Sequence, residues 1–138
     1  MQSNEIDLVQ STFAKVVPKK DQAAELFYDR LFEIAPEAKD MFKGDMKEQG
    51  AKLMMSLATV VNSLRNLEVI LPDVKALAKR HVDYGARPEH YAVVGSALLW
   101  TLGQGLGDEF TADVEAAWTT AYGTLSSVMI EAAYPDAA

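Results

Sequence analysis

Apolar side chains recur every three to four residues along almost the whole chain, which is the spacing of one face of an α-helix. The first stretch of this kind carries Ile6, Val9, Phe13 and Val16. The final stretch carries a longer set, Val114, Trp118, Ala121, Tyr122, Leu125 and Met129. The alternating pattern of a strand hairpin is not found between these stretches. The sequence therefore predicts an all-α protein.

Prolines and glycines divide this pattern into six main helices and one or two short ones. Pro18 is predicted to end the first helix, and Pro88 to begin the fifth. Pro72 is predicted to lie in the first turn of the fourth helix, a favourable place for proline. The fifth helix is predicted to end at three alternate glycines, Gly103, Gly105 and Gly107. Thr111 is predicted to cap the last helix.

The composition narrows the classes of function. A length of 138 residues indicates one domain over residues 1–138. The chain has no cysteine, which excludes disulfides, thiolate metal sites and a cysteine nucleophile. The net charge of −7 and the pI near 4.7 disfavour binding to nucleic acid or to anionic membranes. Because neither a signal peptide nor a long apolar run is visible, we expect a cytoplasmic protein.

The two histidines have different expected environments. His81 lies on the apolar stripe of its helix, four residues after Leu77, so its ring is predicted to point into the core. A buried imidazole needs a hydrogen bond or a metal, and a core histidine bonded to a backbone carbonyl is an alternative to a metal ligand. His90 follows Pro88 at a helix start and is expected to be exposed, with no metal role.

The lone inward histidine favours some metal centres over others. A tetrahedral zinc site needs further ligands, and we find no carboxylates at matching spacing. A haem needs only one ligand from the protein, because the porphyrin supplies four. His81 on an otherwise apolar helix suits that requirement.

Two polar residues occupy positions where the helical stripes call for apolar ones. Tyr28 has a hydroxyl donor, and Gln49 has an amide that donates or accepts. If they face the iron, both can donate to bound dioxygen, which carries partial negative charge. The alternatives are a core tyrosine whose hydroxyl reaches solvent and a solvent-facing glutamine in a first helical turn. Trp118 and Tyr122 are interpreted as core residues.

Together these residues resemble the globin family, from about Ile6 to Ile130. The matching segments are LFYDRLFEIAPEAKDMF, KEQGAKLM, LAKRHVDYG, HYAVVGSALL and AAWTTAYG. The helix pattern alone fits a four-helix arrangement as well, and the resemblance selects the globin fold around haem b. It implies that His81 is the proximal iron ligand and that Phe42 stacks on the haem. The 32-residue separation of Gln49 and His81 is also similar to the family pattern.

Within that family, the chain is most similar to bacterial single-domain globins and to the haem domain of flavohaemoglobins. The resemblance implies Tyr28 and Gln49 as the pair that contacts the ligand. Four further residues are predicted to contact the haem, namely Leu53, Leu77, Tyr91 and Val94. Flavohaemoglobins carry a late-helix glutamate that bonds the proximal histidine, but Ala133 stands at the matching position. This departure weakens the case for peroxidase-like chemistry.

Three functions fit this resemblance, and a helical adaptor without a cofactor is the remaining alternative. The first is reversible dioxygen binding with slow release, and nitric oxide and carbon monoxide are further expected ligands. The second is nitric oxide dioxygenase activity, which would require a separate reductase. The third is gas sensing or redox chemistry, in which a sixth iron ligand would come from Tyr28, Gln49 or Lys52.

Overall fold

A computed structural model describes residues 2–41, 45–83 and 88–133 of the chain. Six α-helices occupy most of these ranges: α1 (Ser3–Val16), α2 (Lys20–Ile34), α3 (Met46–Asn62), α4 (Leu67–Asp83), α5 (Pro88–Leu106) and α6 (Ala112–Ala133). Four short 3₁₀ helices accompany them, at Val17–Lys19, Pro36–Met41, Leu64–Asn66 and Gly107–Glu109. The described ranges contain no strand. The prediction of an all-α fold with six main helices is confirmed.

Several helix ends follow the predicted chemistry. Thr111 caps α6, because its Oγ1 accepts a hydrogen bond from the backbone N–H of Val114 at 3.3 Å. Asp45, for which no cap was predicted, caps α3 in the same way, because its side chain accepts a hydrogen bond from the N–H of Lys47 at 2.8 Å. The α-helical part of the first segment ends at Val16, two residues before Pro18. The start of α6 and the end of α1 therefore lie where the sequence predicted them.

The start of α4 and the end of α5 were predicted wrongly. The helix α4 begins at Leu67, so Pro72 lies inside the helix rather than in its first turn. Proline removes one backbone bond there, but the affected carbonyl belongs to exposed Glu68, where water can replace the bond. The helix α5 continues through Gly103 and Gly105 to Leu106, and only Gly107, with φ of +56°, lies outside it.

The continuation of α5 has a packing reason. A glycine inside a helix costs only about 0.5–1 kcal/mol relative to alanine. Leu106 follows both glycines and is buried in the main core. Burial of this leucine side chain, at about 1.5–3 kcal/mol, offsets the cost of the two glycines.

The buried side chains form two clusters. The larger joins α1, α2, α3, α5 and α6, and it is tied by a buried hydrogen bond from Trp118 Nε1 to Thr12 Oγ1 at 2.9 Å. The smaller lies between α4 and the end of α6, and it contains Ile70, Val74, Ala78, Tyr91 and Met129. Members of both clusters border one large cavity.

None of the helices in the described ranges is long and apolar enough to cross a membrane. The single domain over residues 1–138 and the cytoplasmic location stay predictions.

Candidate functional site

A cavity of about 550 Å³ lies between the two clusters of buried residues. Its walls come from α2, α3, α4, α5 and α6. This volume falls within the range of roughly 300–1,000 Å³ that is usual for small-molecule and cofactor sites. The walls are mostly apolar, and a few polar side chains converge on the space. The cavity is therefore the candidate site for a cofactor.

His81 lies near the end of α4 and is half-buried in the cavity wall. Its Nδ1 is 2.8 Å from the carbonyl oxygen of Leu77. A carbonyl only accepts hydrogen bonds, so Nδ1 carries the proton and donates. In the neutral ring Nε2 then carries the lone pair, which is the form of histidine that binds a metal. The predicted backbone bond and the metal-binding role are thus compatible in one ring.

Tyr91 stacks against His81, with ring centroids 6.2 Å apart and an interplanar angle of 30°. The backbone of Tyr91 is held in turn by α6, because Tyr122 Oη donates to its carbonyl oxygen at 2.6 Å. Burial, and secondarily the neighbouring Tyr91, raises the pKa of Tyr122 well above its ordinary value. Tyr122 therefore stays protonated as a donor. Sequence reasoning assigned it to the core, whereas it also borders the cavity.

Tyr28 and Gln49 lie on a second part of the wall, formed by α2 and α3. The Tyr28 side chain is buried, with 8% exposed, and packs between Phe27 and Phe32. Its Oη donates to the backbone carbonyl oxygen of Gln49 at 3.4 Å. Because this exceeds the roughly 2.5–3.0 Å usual for O–H···O bonds, the bond is weak.

Burial raises the pKa of Tyr28 to about 12. The hydroxyl is therefore protonated throughout the physiological range and serves as a hydrogen-bond donor. A donor in a largely apolar cavity favours a ligand that carries partial negative charge.

The charges around the cavity differ from those of the whole chain. The sequence has 20 acidic and 13 basic residues. Yet Lys52 and Arg80 line the cavity, and none of the described lining residues is aspartate or glutamate. This arrangement favours an anionic or carboxylate-bearing ligand.

Other predicted residues have mixed outcomes. The structure places Leu53, Leu77 and Val94 in the cavity wall. His90 is half-buried and lines the same cavity, so the expectation that it is exposed is wrong. Phe42 lies outside the described residues.

Sequence reasoning missed Arg80, Phe27 and Met129 as lining residues. Arg80 and Phe27 directly precede His81 and Tyr28, and Met129 lies one helical turn after Leu125. The sequence could have identified only Met129, because residues four apart lie on the same face of a helix. A residue adjacent to a wall residue points about 100° away on a straight helix, so only the width of the cavity brings Arg80 and Phe27 into it.

The family described as Globin matches residues 25–129 of the chain. The chain belongs to the globin family. Membership implies a haem-binding protein, and it confirms the resemblance that the sequence segments indicated. The matched residues run from α2 into the last turns of α6 and so include every wall of the cavity.

Curated relatives of this globin include flavohemoproteins. The flavohemoprotein of Rhodopirellula baltica is 32% identical over 128 residues, which cover 91% of this chain and 31% of that protein. The flavohemoprotein of Vibrio cholerae is 33% identical over 129 residues, which cover 91% of this chain and 33% of that protein. The globin thus spans about a third of the length of these relatives.

Among solved structures, a bacterial globin from Campylobacter jejuni superposes with a TM-score of 0.85 at 25% identity. The match covers 99% of both chains. This globin therefore has the fold of a bacterial globin over the described helices.

Proposed function

We propose that this globin binds haem b in the cavity, with Nε2 of His81 as the iron ligand supplied by the protein. The observation that carries the proposal is the bond from His81 Nδ1 to the carbonyl of Leu77. In metal-ligating histidines, a hydrogen bond from the ring nitrogen that does not bind the metal fixes the tautomer and the orientation of the ring. Haem iron supplies the chemistry of reversible binding to diatomic gases.

The residues of the cavity wall fit haem. The porphyrin is flat and apolar, and the wall offers it the side chains predicted from the sequence, Leu53, Leu77, Tyr91 and Val94. Haem also has two propionate carboxylates. Lys52 and Arg80 supply the positive charge that these carboxylates need, and no described lining residue repels them. The contact predicted for Phe42 stays a prediction.

An optical spectrum tests the haem proposal. The purified protein supplied with haem is expected to show a Soret band and to form a carbon monoxide complex after reduction. His81→Gly should lose the spectrum of histidine-ligated haem and regain it when imidazole is added. His90→Ala is the matched control, because His90 lines the same cavity, and it should retain the wild-type spectrum. A wild-type protein without a Soret band would contradict the proposal.

We further propose that reversible dioxygen binding is the function, with Tyr28 and Gln49 as donors to the bound gas. The buried, protonated hydroxyl of Tyr28 supports this role. Hydrogen bonds to charge-bearing groups contribute about 1.5–3 kcal/mol. Each such bond slows release roughly tenfold to a hundredfold. The expected protein binds dioxygen tightly, which suits scavenging more than bulk delivery.

Stopped-flow measurement of dioxygen release tests this role. Tyr28→Phe and Gln49→Leu are each expected to accelerate release by roughly ten- to a hundredfold. Thr59→Val is the control on α3, because Thr59 is exposed and bonds to its own helix. If Tyr28→Phe and Gln49→Leu released dioxygen at the wild-type rate, the two donors would have no role.

A second candidate function is nitric oxide dioxygenase activity with a separate reductase. It is favoured by the similarity to flavohemoproteins, of which this chain matches about a third. Continued turnover would require a reductant, since the oxidised iron must be reduced again. Steady-state consumption of nitric oxide with and without cell reductant separates the two functions, because a simple dioxygen carrier would not sustain consumption.

A further inference from the structure

The helices α2 and α3 approach each other closely at Ala24 and Gly50. Gly50 is buried, and a Cβ built on it would lie 2.9 Å from the Cβ of Ala24. It would also lie 4.0 Å from Cε2 of Tyr28. Real Cβ atoms are essentially never as close as the first of these distances. At the observed helix spacing, therefore, position 50 accommodates only glycine.

Glycine at this position has a cost that needs an explanation. It lies within α3, and glycine is a poorer helix former than alanine. Its φ is not in the left-handed region, so the backbone conformation does not require glycine. The close approach to α2 is what requires it.

Both proposed ligand donors adjoin this contact. Tyr28 follows Ala24 by four residues, about one helical turn, and Gln49 directly precedes Gly50. The Tyr28 hydroxyl already reaches the backbone of Gln49, at 3.4 Å. The spacing of α2 and α3 at Ala24 and Gly50 therefore controls the distance between the two donors.

We propose that Gly50 is a positioning residue that tunes ligand release without touching the ligand. This inference rests on the proposed function, in which Tyr28 and Gln49 donate to the bound gas. A methyl group at position 50 must push the two helices apart, because the Cβ of Ala24 is fixed to its backbone and cannot turn aside. Because hydrogen bonds weaken with poor distance and alignment, both donors then bond the ligand less well.

The first test is Gly50→Ala in the haem-loaded protein. We expect dioxygen release to accelerate roughly threefold to tenfold, less than when a donor is deleted, because the bond is misaligned rather than lost. The C–O stretching frequency of the carbon monoxide complex reports donation to the ligand directly. It should shift in the same direction as in Tyr28→Phe.

The second test is the double variant Ala24→Gly/Gly50→Ala, which moves the methyl group from one helix to the other. The close approach is restored in this variant, so release and stretching frequency should return towards wild type. Gly123→Ala is the control, because a Cβ there would meet nothing within 4 Å. It should leave both readouts unchanged. If Gly50→Ala does not fold, Ala24→Gly alone tests the proposal, because it removes the other methyl group of the contact and should also change both readouts.

The outcomes separate the inference from the function on which it rests. Wild-type release and stretching frequency in Gly50→Ala, alongside altered values in Tyr28→Phe, would overturn the positioning role alone. A double variant that stays as altered as Gly50→Ala, or that fails to fold, would also overturn it. Unchanged values in Tyr28→Phe would instead overturn the donor role of Tyr28.

Discussion

The hydroxyl oxygen of Tyr122 lies 2.6 Å from the carbonyl oxygen of Tyr91, so a side chain of α6 is bonded to the backbone of α5. Tyr91 in turn stacks against His81 on α4. Three helices are therefore connected at the part of the cavity wall that holds the proposed iron ligand. The connection depends on space that Gly95 provides, because a Cβ there would lie 2.7 Å from Cε2 of Tyr122.

Gly95→Ala is expected to destabilise the fold. Overpacking costs about 1–3 kcal/mol, which outweighs the gain of roughly 0.5–1 kcal/mol from replacing a helical glycine. Gly105→Ala is the matched control on α5, since a Cβ there would only reach ordinary contact with Val16 at 4.0 Å. Urea unfolding should show a lower free energy of unfolding for Gly95→Ala and an equal or higher one for Gly105→Ala. Equal stability of Gly95→Ala and wild type would mean that Tyr122 moves aside without cost.

Thr12→Val should remove the buried bond between α1 and α6. Thr12 Oγ1 accepts from Trp118 Nε1, and both side chains are buried. An unsatisfied indole N–H costs about 1–3 kcal/mol of unfolding free energy. Thr120→Val makes the same chemical change at an exposed site that bonds only its own helix, and it should stay within about 0.5 kcal/mol of wild type. Similar losses in both variants would contradict the role of the buried bond.

Tyr28 should make the fold sensitive to alkaline pH. Burial raises the pKa of Tyr28 to about 12 in the folded protein, from an unfolded value of 10.0. The folded state then holds the Tyr28 proton more tightly than the unfolded state does. The contribution of Tyr28 to the free energy of unfolding is therefore complete below pH 10 and is lost as the pH rises towards 12. The free energy of unfolding, measured by denaturant titration across this window, should fall less steeply in Tyr28→Phe than in wild type. Parallel slopes would show that the hydroxyl is solvated.

Lys52 and Arg80 should slow the loss of haem. Replacing either residue by glutamine removes its proposed ion pair with a haem propionate. A partly exposed pair of this kind is worth about 0.2–1 kcal/mol, so haem loss should accelerate by up to about fivefold. Lys47→Gln and Lys79→Gln are the controls. Each also removes one positive charge, but from an exposed position on α3 or α4 outside the cavity lining. Transfer of haem to an excess of a scavenging protein measures the rate, and added salt should reduce the difference. A uniform effect of all four variants would indicate general surface charge instead.

The helices and their inward faces were predictable because helix formation is largely local. Ile6, Val9, Phe13 and Val16 are all buried, as their spacing predicted. The wrongly placed start of α4 has a tertiary cause. Leu67 and Ile70 pack into the smaller cluster, and this packing extends the helix to the N-terminal side of Pro72.

The candidate site was predictable only in part. Helical spacing identified His81, Tyr28 and Gln49 as unusual inward-facing polar residues, and the structure places all three on one cavity. His90 was wrongly expected to be exposed, because a helix start usually faces solvent. The cavity extends to that end of α5, which no local pattern reveals.

By itself, the sequence determined the helix class, the absence of cysteine chemistry, and the polar residues that interrupt the apolar stripes. Only the tertiary structure decided the distances between helices. The approach of Ala24 to Gly50 and the bond from Tyr122 to Tyr91 join residues 26 and 31 positions apart. Such contacts depend on the packing of the whole core, in which each side chain touches several helices at once. Periodicity within one helix has no information about that packing.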